Sequence, residues 1–251
     1  MFHRLSFVAL FVLSLLAGTV AQAAPVRVGV SDWPGWVAWY VAKEKGLFEK
    51  YGAEVELVWF PNYTDSIQAL SAGQLDANSQ TWSDTLAPLA AGVPLKVVLV
   101  NDNSAGNDAL LVGPEIKSFA DLKGKPVALE EFSISHFVLA TALAKNGMAL
   151  GDVKVTNLSA GDAAAAFLGG RVPATVGWNP WVNQIQASGK GRALFTSKDM
   201  PGLVPDLLVA HGKALAEPAK RATFVAMARA WYDTVAFIGA NPREAAVIMA
   251  Q

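Results

Sequence analysis

The residues best suited to chemistry are tryptophans and carboxylates that follow predicted strand ends. Asp32, Trp33 and Trp36 come directly after the apolar run at residues 26–30. In an open α/β sheet, small ligands bind in the loops that leave the carboxyl ends of the strands. An indole face attracts a cation by about 0.5–2 kcal/mol, and a desolvated carboxylate requires a positive or hydrogen-bond-donating partner. These residue types in this loop predict one wall of a ligand pocket.

Other loops at predicted strand ends, and one polar segment, supply the remaining candidate pocket residues. They are Gln80, Thr81, Trp82, Asn107, Asp108, Glu130, Glu131, Ser133, Trp178 and Asn179. Several of these candidates also have a structural interpretation. Asp32, Gln80 and Thr81 could serve as helix caps. Glu130 and Glu131 could complement the dipole of the following helix from its solvent face.

The tryptophans are also compatible with helix packing. Trp36 and Trp39 are three residues apart, so both could lie on the buried face of one helix. We expect Trp33 at the pocket and Trp39 in the core. Asn107 and Asp108 could satisfy only backbone groups at a hinge between two parts of the chain.

Strand-like and helix-like runs alternate along the chain with short links, which predicts an α/β fold with doubly wound, parallel sheets. The alternation stops at the polar residues 101–108 and again at residues 197–206, where prolines and a glycine interrupt it. Two crossovers at these places would join two lobes into a clamshell with a cleft at the hinge. The sequence therefore predicts a discontinuous first lobe from residues 25–102 and 207–251, and a second lobe from residues 103–206.

Residues 1–24 have the pattern of a cleaved secretory signal peptide. A weakly basic start precedes an apolar stretch, and the small residues at 21–23 are typical of a cleavage site; a retained N-terminal anchor is the alternative. The chain has no cysteine, a net charge of −1 and no basic run. This composition indicates an exported, periplasmic protein without disulfides, and it argues against nucleic-acid binding.

Motifs for catalysis and metal binding are missing from the sequence. It contains no nucleophile elbow, no phosphate-binding or dinucleotide loop and no metal-ligand spacing. His136 lies inside a predicted helix and His211 ends a predicted strand, where structural roles are favoured over acid–base catalysis. We therefore expect neither enzymatic activity nor a cofactor or metal.

Three stretches resemble the solute-binding components of ABC importers, in their nitrate/sulfonate/taurine branch. They are WYVAKEKGLF at 39–48, ALSAGQLDA at 69–77 and DLKGKPV at 121–127. The resemblance implies a two-lobed, type II periplasmic-binding-protein clamshell, a monomer that captures a solute between its lobes and delivers it to a membrane permease. Members of that family are usually longer, so it also implies a truncated first lobe.

The nature of the solute is predicted from the acidic turn at Glu130 and Glu131. Anions bind well at helix N-termini, and two carboxylates stand at such a position here. We therefore favour a small nitrogenous solute, cationic or urea- or guanidine-like, and the acidic segments also resemble a urea- and guanidine-related subgroup. The alternative solute is an alkanesulfonate, taurine or nitrate. Two alternative classes are an enzyme similar to thiamin-pyrimidine synthases, which the absence of cysteine disfavours, and a sensor that serves a membrane receptor.

Overall fold

The structure is a computed structural model that describes residues 24–251. The predicted signal peptide, apart from its last residue, lies outside the described residues. The strands are β1 (Val26–Val30), β2 (Val55–Trp59), β3 (Ala77–Thr81), β4 (Leu95–Asn103), β5 (Asp108–Val112), β6 (Pro126–Leu129), β7 (Lys154–Asn157), β8 (Ala174–Trp178), β9 (Arg192–Thr196) and β10 (Pro205–His211).

The helices follow the strands in regular alternation. They are α1 (Pro34–Glu44), α2 (Leu47–Lys50), α3 (Tyr63–Ser71), α4 (Trp82–Ala90), α5 (Ile134–Lys145), α6 (Ala160–Leu168), α7 (Trp181–Ala187), α8 (Gly212–Ala216), α9 (Pro218–Ala240) and α10 (Pro242–Met249). Short 3-10 helices cover Phe119–Leu122, Leu150–Asp152 and Ser197–Asp199. None of the helices within residues 24–251 combines the length and the hydropathy needed to cross a membrane.

The strands form two five-stranded sheets, each of mixed direction. The first sheet has the order β2-β1-β3-β10-β4, and the second has the order β7-β6-β8-β5-β9. β10 runs antiparallel to β3 and β4, and β5 runs antiparallel to β8 and β9. The prediction of parallel sheets is therefore wrong for these two strands. Each of them enters its sheet directly from the other sheet, without the helical crossover that a parallel connection requires.

The two connections between the sheets are shorter than the sequence predicts. β4 continues through Asn103, because Asp102 and Asn103 pair with Asp206 and Pro205 of β10. Only residues 104–107 then link β4 to β5. The polar character of residues 101–103 predicted a loop, whereas the neighbouring strand supplies partners for their backbone groups.

The first sheet is held in place by helices that pack through aromatic side chains. Trp39 of α1 is fully buried, its indole N–H donates to Ser79 Oγ at 3.1 Å, and its ring lies 4.5 Å from that of Trp231 in α9. Trp39 thus belongs to the core, as expected. α1 and α2 are separated at Gly46, whose φ of +64° ends one helix and begins the next. This packing fixes the start of α1, where the candidate pocket residues begin.

Candidate functional site

A narrow cavity of about 10 Å³ lies between the two sheets, at the ends of the strands. Its lining comes from the loop after β1, the end of β3 and the starts of α3 and β10 on one side, and from β5, α5 and β8 on the other. The lining residues are Trp33, Trp36, Tyr63, Thr81, Asp108, Ile134, Trp178 and Asp206. Because each sheet supplies about half of the lining, a solute held here contacts both sides of the molecule.

Aromatic rings form the apolar wall of the cavity. The ring centroids of Tyr63 and Trp36 are 4.9 Å apart, and Trp178 meets Tyr63 edge to face at 5.8 Å. The Tyr63 hydroxyl accepts a hydrogen bond from the Thr81 N–H at 3.0 Å, which fixes the ring. Trp36 is 2% exposed, and its buried indole N–H has no hydrogen-bond partner. The wall therefore includes the unpartnered indole N–H of Trp36, a donor that an acceptor atom of a solute could use.

Two buried carboxyl groups form the polar part of the cavity. Burial raises the pKa of Asp108 to about 7, although a hydrogen bond from the Ser104 hydroxyl acts to lower this pKa. Burial also raises the pKa of Asp206 well above its usual range, and the adjacent Asp102 on β4 raises it further. None of the described residues that line the cavity is basic. A positive group placed here would meet two desolvated acids that have no cationic partner.

Three further carboxylates join the two sides of the molecule around the cavity. Asp32 accepts hydrogen bonds from the indole N–H groups of Trp178 at 2.9 Å and Trp181 at 2.7 Å. Glu130 accepts from the Thr64 N–H at 2.7 Å, and Asp84 accepts from the Ile134 N–H at 2.9 Å. Burial raises the pKa of all three acids, that of Asp84 to about 6. These bonds hold the two sides together in the conformation described here.

The structure brings together five of the predicted site residues. Trp33, Trp36, Thr81, Asp108 and Trp178 all line the cavity. Trp36 combines both interpretations offered by the sequence, since it is a buried helix residue that also forms part of the cavity wall.

The remaining predicted site residues do not line the cavity. Asp32 and Glu130 make the bonds between the two sides described above, and Ser133 caps α5 by accepting from the Ser135 N–H at 3.1 Å. The Asn179 side chain donates to Asn107 Oδ1 at 2.8 Å, and both line a separate groove on the other side of Trp33.

Three predictions lie further from the cavity. Gln80 is fully buried in a network in which it accepts from Asn78 and donates to Thr85. Trp82 is 41% exposed. Glu131 is half-buried, and its backbone N–H donates to Asn157 Oδ1.

Three lining residues were missed by reasoning from the sequence. Tyr63 begins α3 and was interpreted only as part of that helix. Ile134 begins α5 and carries no chemical signal. Asp206 was placed inside a crossover loop, although its pairing with Asp102 puts two acids on adjacent strands beside the cavity. The acids that flank both crossovers in the sequence were the signal that could have identified this pair.

A larger groove of about 570 Å³ lies on the far side of Asp84, between α3, α4 and the start of α5. It is lined mostly by apolar side chains, and its only titratable residues within the described chain are Asp84 and His136. The smaller cavity is the better candidate site, because charged and aromatic groups converge there from both sheets. The described residues contain no group of acidic, histidine or cysteine side chains suited to a metal ion.

Two mixed sheets with a cavity between them define the periplasmic-binding-protein class, and comparison with solved structures confirms this predicted fold. The crystal structure of the periplasmic aliphatic sulphonate binding protein from Escherichia coli matches with a TM-score of 0.76 and 26% identity, over 91% of this chain and 78% of that one. The chain belongs to the NMT1/THI5-like family, whose model matches residues 33–245.

Curated relatives match most of the chain but only part of their own length. A putative binding protein of Brucella abortus is 34% identical over 66% of this chain and 52% of its own. A putative aliphatic sulfonates-binding protein of Escherichia coli is 32% identical over 72% of this chain and 58% of its own. The chain thus spans little more than half the length of these relatives.

Proposed function

We propose that the chain is the periplasmic solute-binding component of an ABC importer, which captures a small solute in the cavity and delivers it to a membrane permease. The fold and the family support this role. The relatives described above are named as binding proteins, which favours binding over catalysis. A ligand shifts a protein toward a closed state only if it binds that state better than the open one. A cavity lined from both sheets meets this condition, because either side alone offers only part of the contacts.

The geometry supports a solute with a nitrogen group that is cationic or donates several hydrogen bonds, such as a guanidinium or urea-like group. The observation that carries this proposal is the placement of Asp108 and Asp206 in an aromatic cavity without a basic residue. A cation would offset the desolvation of these carboxylates, and a planar one would also gain from contact with the indole faces of Trp33 and Trp178. The Trp36 indole N–H is free to donate to a carbonyl oxygen of a urea-like solute.

An anionic solute such as an alkanesulfonate, taurine or nitrate is the second candidate, and the relatives favour it over the cationic one. Two of the proteins described above are named for binding aliphatic sulfonates. The Trp36 N–H could donate to an oxyanion as well. Such a solute is compatible with Asp108 and Asp206 only in their protonated forms, because ionised carboxylates would repel it, and the raised pKa values of both groups favour those forms.

Isothermal titration calorimetry against guanidinium, urea, taurine, ethanesulfonate and nitrate separates the two candidates. We expect heat of binding from guanidinium or urea, and loss of at least about tenfold in guanidinium affinity in Asp108→Asn. Asp65→Asn is the matched control, because it removes the same charge from an exposed position in the first turn of α3. Tight binding of ethanesulfonate or nitrate without binding of guanidinium or urea would replace the first candidate by the second. Absence of binding by every compound would contradict both.

A further inference from the structure

Two carboxylates cap helices that belong to the opposite side of the molecule. Glu130 follows β6 of the second sheet, and its Oε1 accepts from the Thr64 N–H in the first turn of α3, at 2.7 Å. Asp84 lies in α4 beside the first sheet, and its Oδ2 accepts from the N–H of Ile134, the first residue of α5, at 2.9 Å. The two bonds are therefore reciprocal, since each side supplies the anion for a helix of the other.

Helix N-termini that face a cleft are sites where oxyanions bind, because their N–H groups have no partner within the helix and the helix dipole attracts negative charge. Both of these N-termini adjoin the cavity, since Tyr63 of α3 and Ile134 of α5 line it. The side-chain carboxylates already accept from N–H groups that an anion at these N-termini would otherwise use. Asp84 is 8% exposed and Glu130 is 4% exposed, so solvent does not screen them effectively.

We propose that Glu130 and Asp84 determine the charge of the solute, by filling these two helix N-termini with carboxylates of the chain and so excluding anionic groups. This inference rests on the proposed solute-binding role of the cavity. An anion must displace one of the two carboxylates or remain next to both, whereas a cation meets no such obstacle. Trp36 lines the same cavity with a buried indole N–H that has no partner in the protein, a donor that a bound ligand could use.

The inference predicts that removing one carboxylate creates an anion site. In Glu130→Gln the side chain keeps its size but loses its charge, so an oxyanion can compete for the Thr64 N–H and the dipole of α3. The interaction of one charge with a helix N-terminus corresponds to a gain of about tenfold in anion affinity. Asp84→Asn has the same effect at the N-terminus of α5.

The probes are inorganic sulfate and ethanesulfonate, and their binding is measured by calorimetry and thermal shift. Each is titrated into the wild type, Glu130→Gln, Asp84→Asn and the control Asp65→Asn. Sulfate and ethanesulfonate should bind Glu130→Gln about tenfold more tightly than the wild type, while guanidinium does not gain. Asp65 is an exposed acid in the first turn of the same helix α3, so Asp65→Asn should show no gain. Circular dichroism checks that each variant folds; if Asp84→Asn does not, Glu130→Gln alone decides.

Equal sulfate affinities in the wild type, Glu130→Gln and Asp65→Asn would overturn the inference. This failure is distinct from failure of the proposed solute. If the wild type ignores guanidinium and urea but Glu130→Gln gains sulfate binding, the exclusion of anions stands and the nitrogenous solute is wrong. If the wild type binds guanidinium and no variant gains sulfate, the nitrogenous solute stands and the exclusion of anions by Glu130 and Asp84 is wrong.

Discussion

The affinity for a cationic solute should depend strongly on pH, through the carboxyl group of Asp108. This group has its pKa raised to about 7 by burial in the cavity. Only its ionised form attracts a cation, so a bound guanidinium favours loss of the proton. Below the pKa each pH unit then costs about 1.4 kcal/mol of binding free energy, or about tenfold in affinity. Between about pH 8 and about pH 5 the predicted loss is close to hundredfold.

Calorimetry at fixed ionic strength measures this dependence directly. Guanidinium stays protonated across this range, so the change in affinity reports on the protein alone. Titrations in two buffers with different ionisation enthalpies should show release of close to one proton per solute near pH 6. Asp206, whose pKa is also raised by burial, makes the guanidinium affinity change more steeply with pH if it ionises in the same range.

Two results would refute this reasoning. An affinity that stays constant between about pH 5 and about pH 8 would show that Asp108 does not face the bound solute. An affinity that rises as the pH falls would mean that the protonated carboxyls favour binding, as the anionic candidate requires. Asp108→Asn should bind guanidinium weakly and with a flatter pH profile than the wild type.

The same site makes three predictions about stability and binding. The folded-state pKa of Asp108 lies above the ordinary value of 3.8 for an aspartate. The folded state therefore binds the proton more tightly, and the free energy of unfolding falls as the pH rises from about 4 to about 7. Asp108→Asn should weaken that fall in urea denaturation, and an equally steep profile in the variant would contradict it. Tyr63→Phe removes the acceptor of the buried Thr81 N–H, so it should lower the free energy of unfolding by about 1–3 kcal/mol. An unchanged urea midpoint would argue against a stabilising role for this hydrogen bond. Trp178→Phe removes one of the two indole donors to Asp32. It should weaken guanidinium binding about tenfold or more, measured by calorimetry against the wild type. Retained affinity would mean that the bond between Trp178 and Asp32 does not stabilise the solute-bound conformation.

The sequence was sufficient to predict the fold class and the positions of most strands, because apolar runs alternate with helical patterns and Pro and Gly residues mark the links. It placed Trp33 and Trp178 among the candidates because they lie in or beside loops that follow predicted strands, and Asp108 because it belongs to the polar hinge segment. The direction of β5 and β10 was not predictable, because strand direction depends on which sheet a segment joins and not on its composition.

Contacts between distant segments were the other limit. Asp102 and Asp206 are paired across β4 and β10, a juxtaposition that no local pattern encodes. Tyr63 lies at the cavity because its hydroxyl reaches the Thr81 N–H, and its position in a helix gave no indication of this. The acids at residues 130 and 131 were predicted at the N-terminus of the helix that follows them, whereas Glu130 accepts from the Thr64 N–H at the start of α3 on the opposite side.

Under the proposed role, a few side chains would set the charge of the solute while the backbone that positions them stays the same. The N-termini of α3 and α5 adjoin the cavity and by themselves would favour an anion. Glu130 and Asp84 supply carboxylates to these two N-termini, and Asp108 and Asp206 in their ionised form would favour a cation in the cavity. For this reason the Glu130→Gln variant is informative even if the solute is a sulfonate: a gain in sulfate binding would show that the side chain, and not the fold, selects the charge.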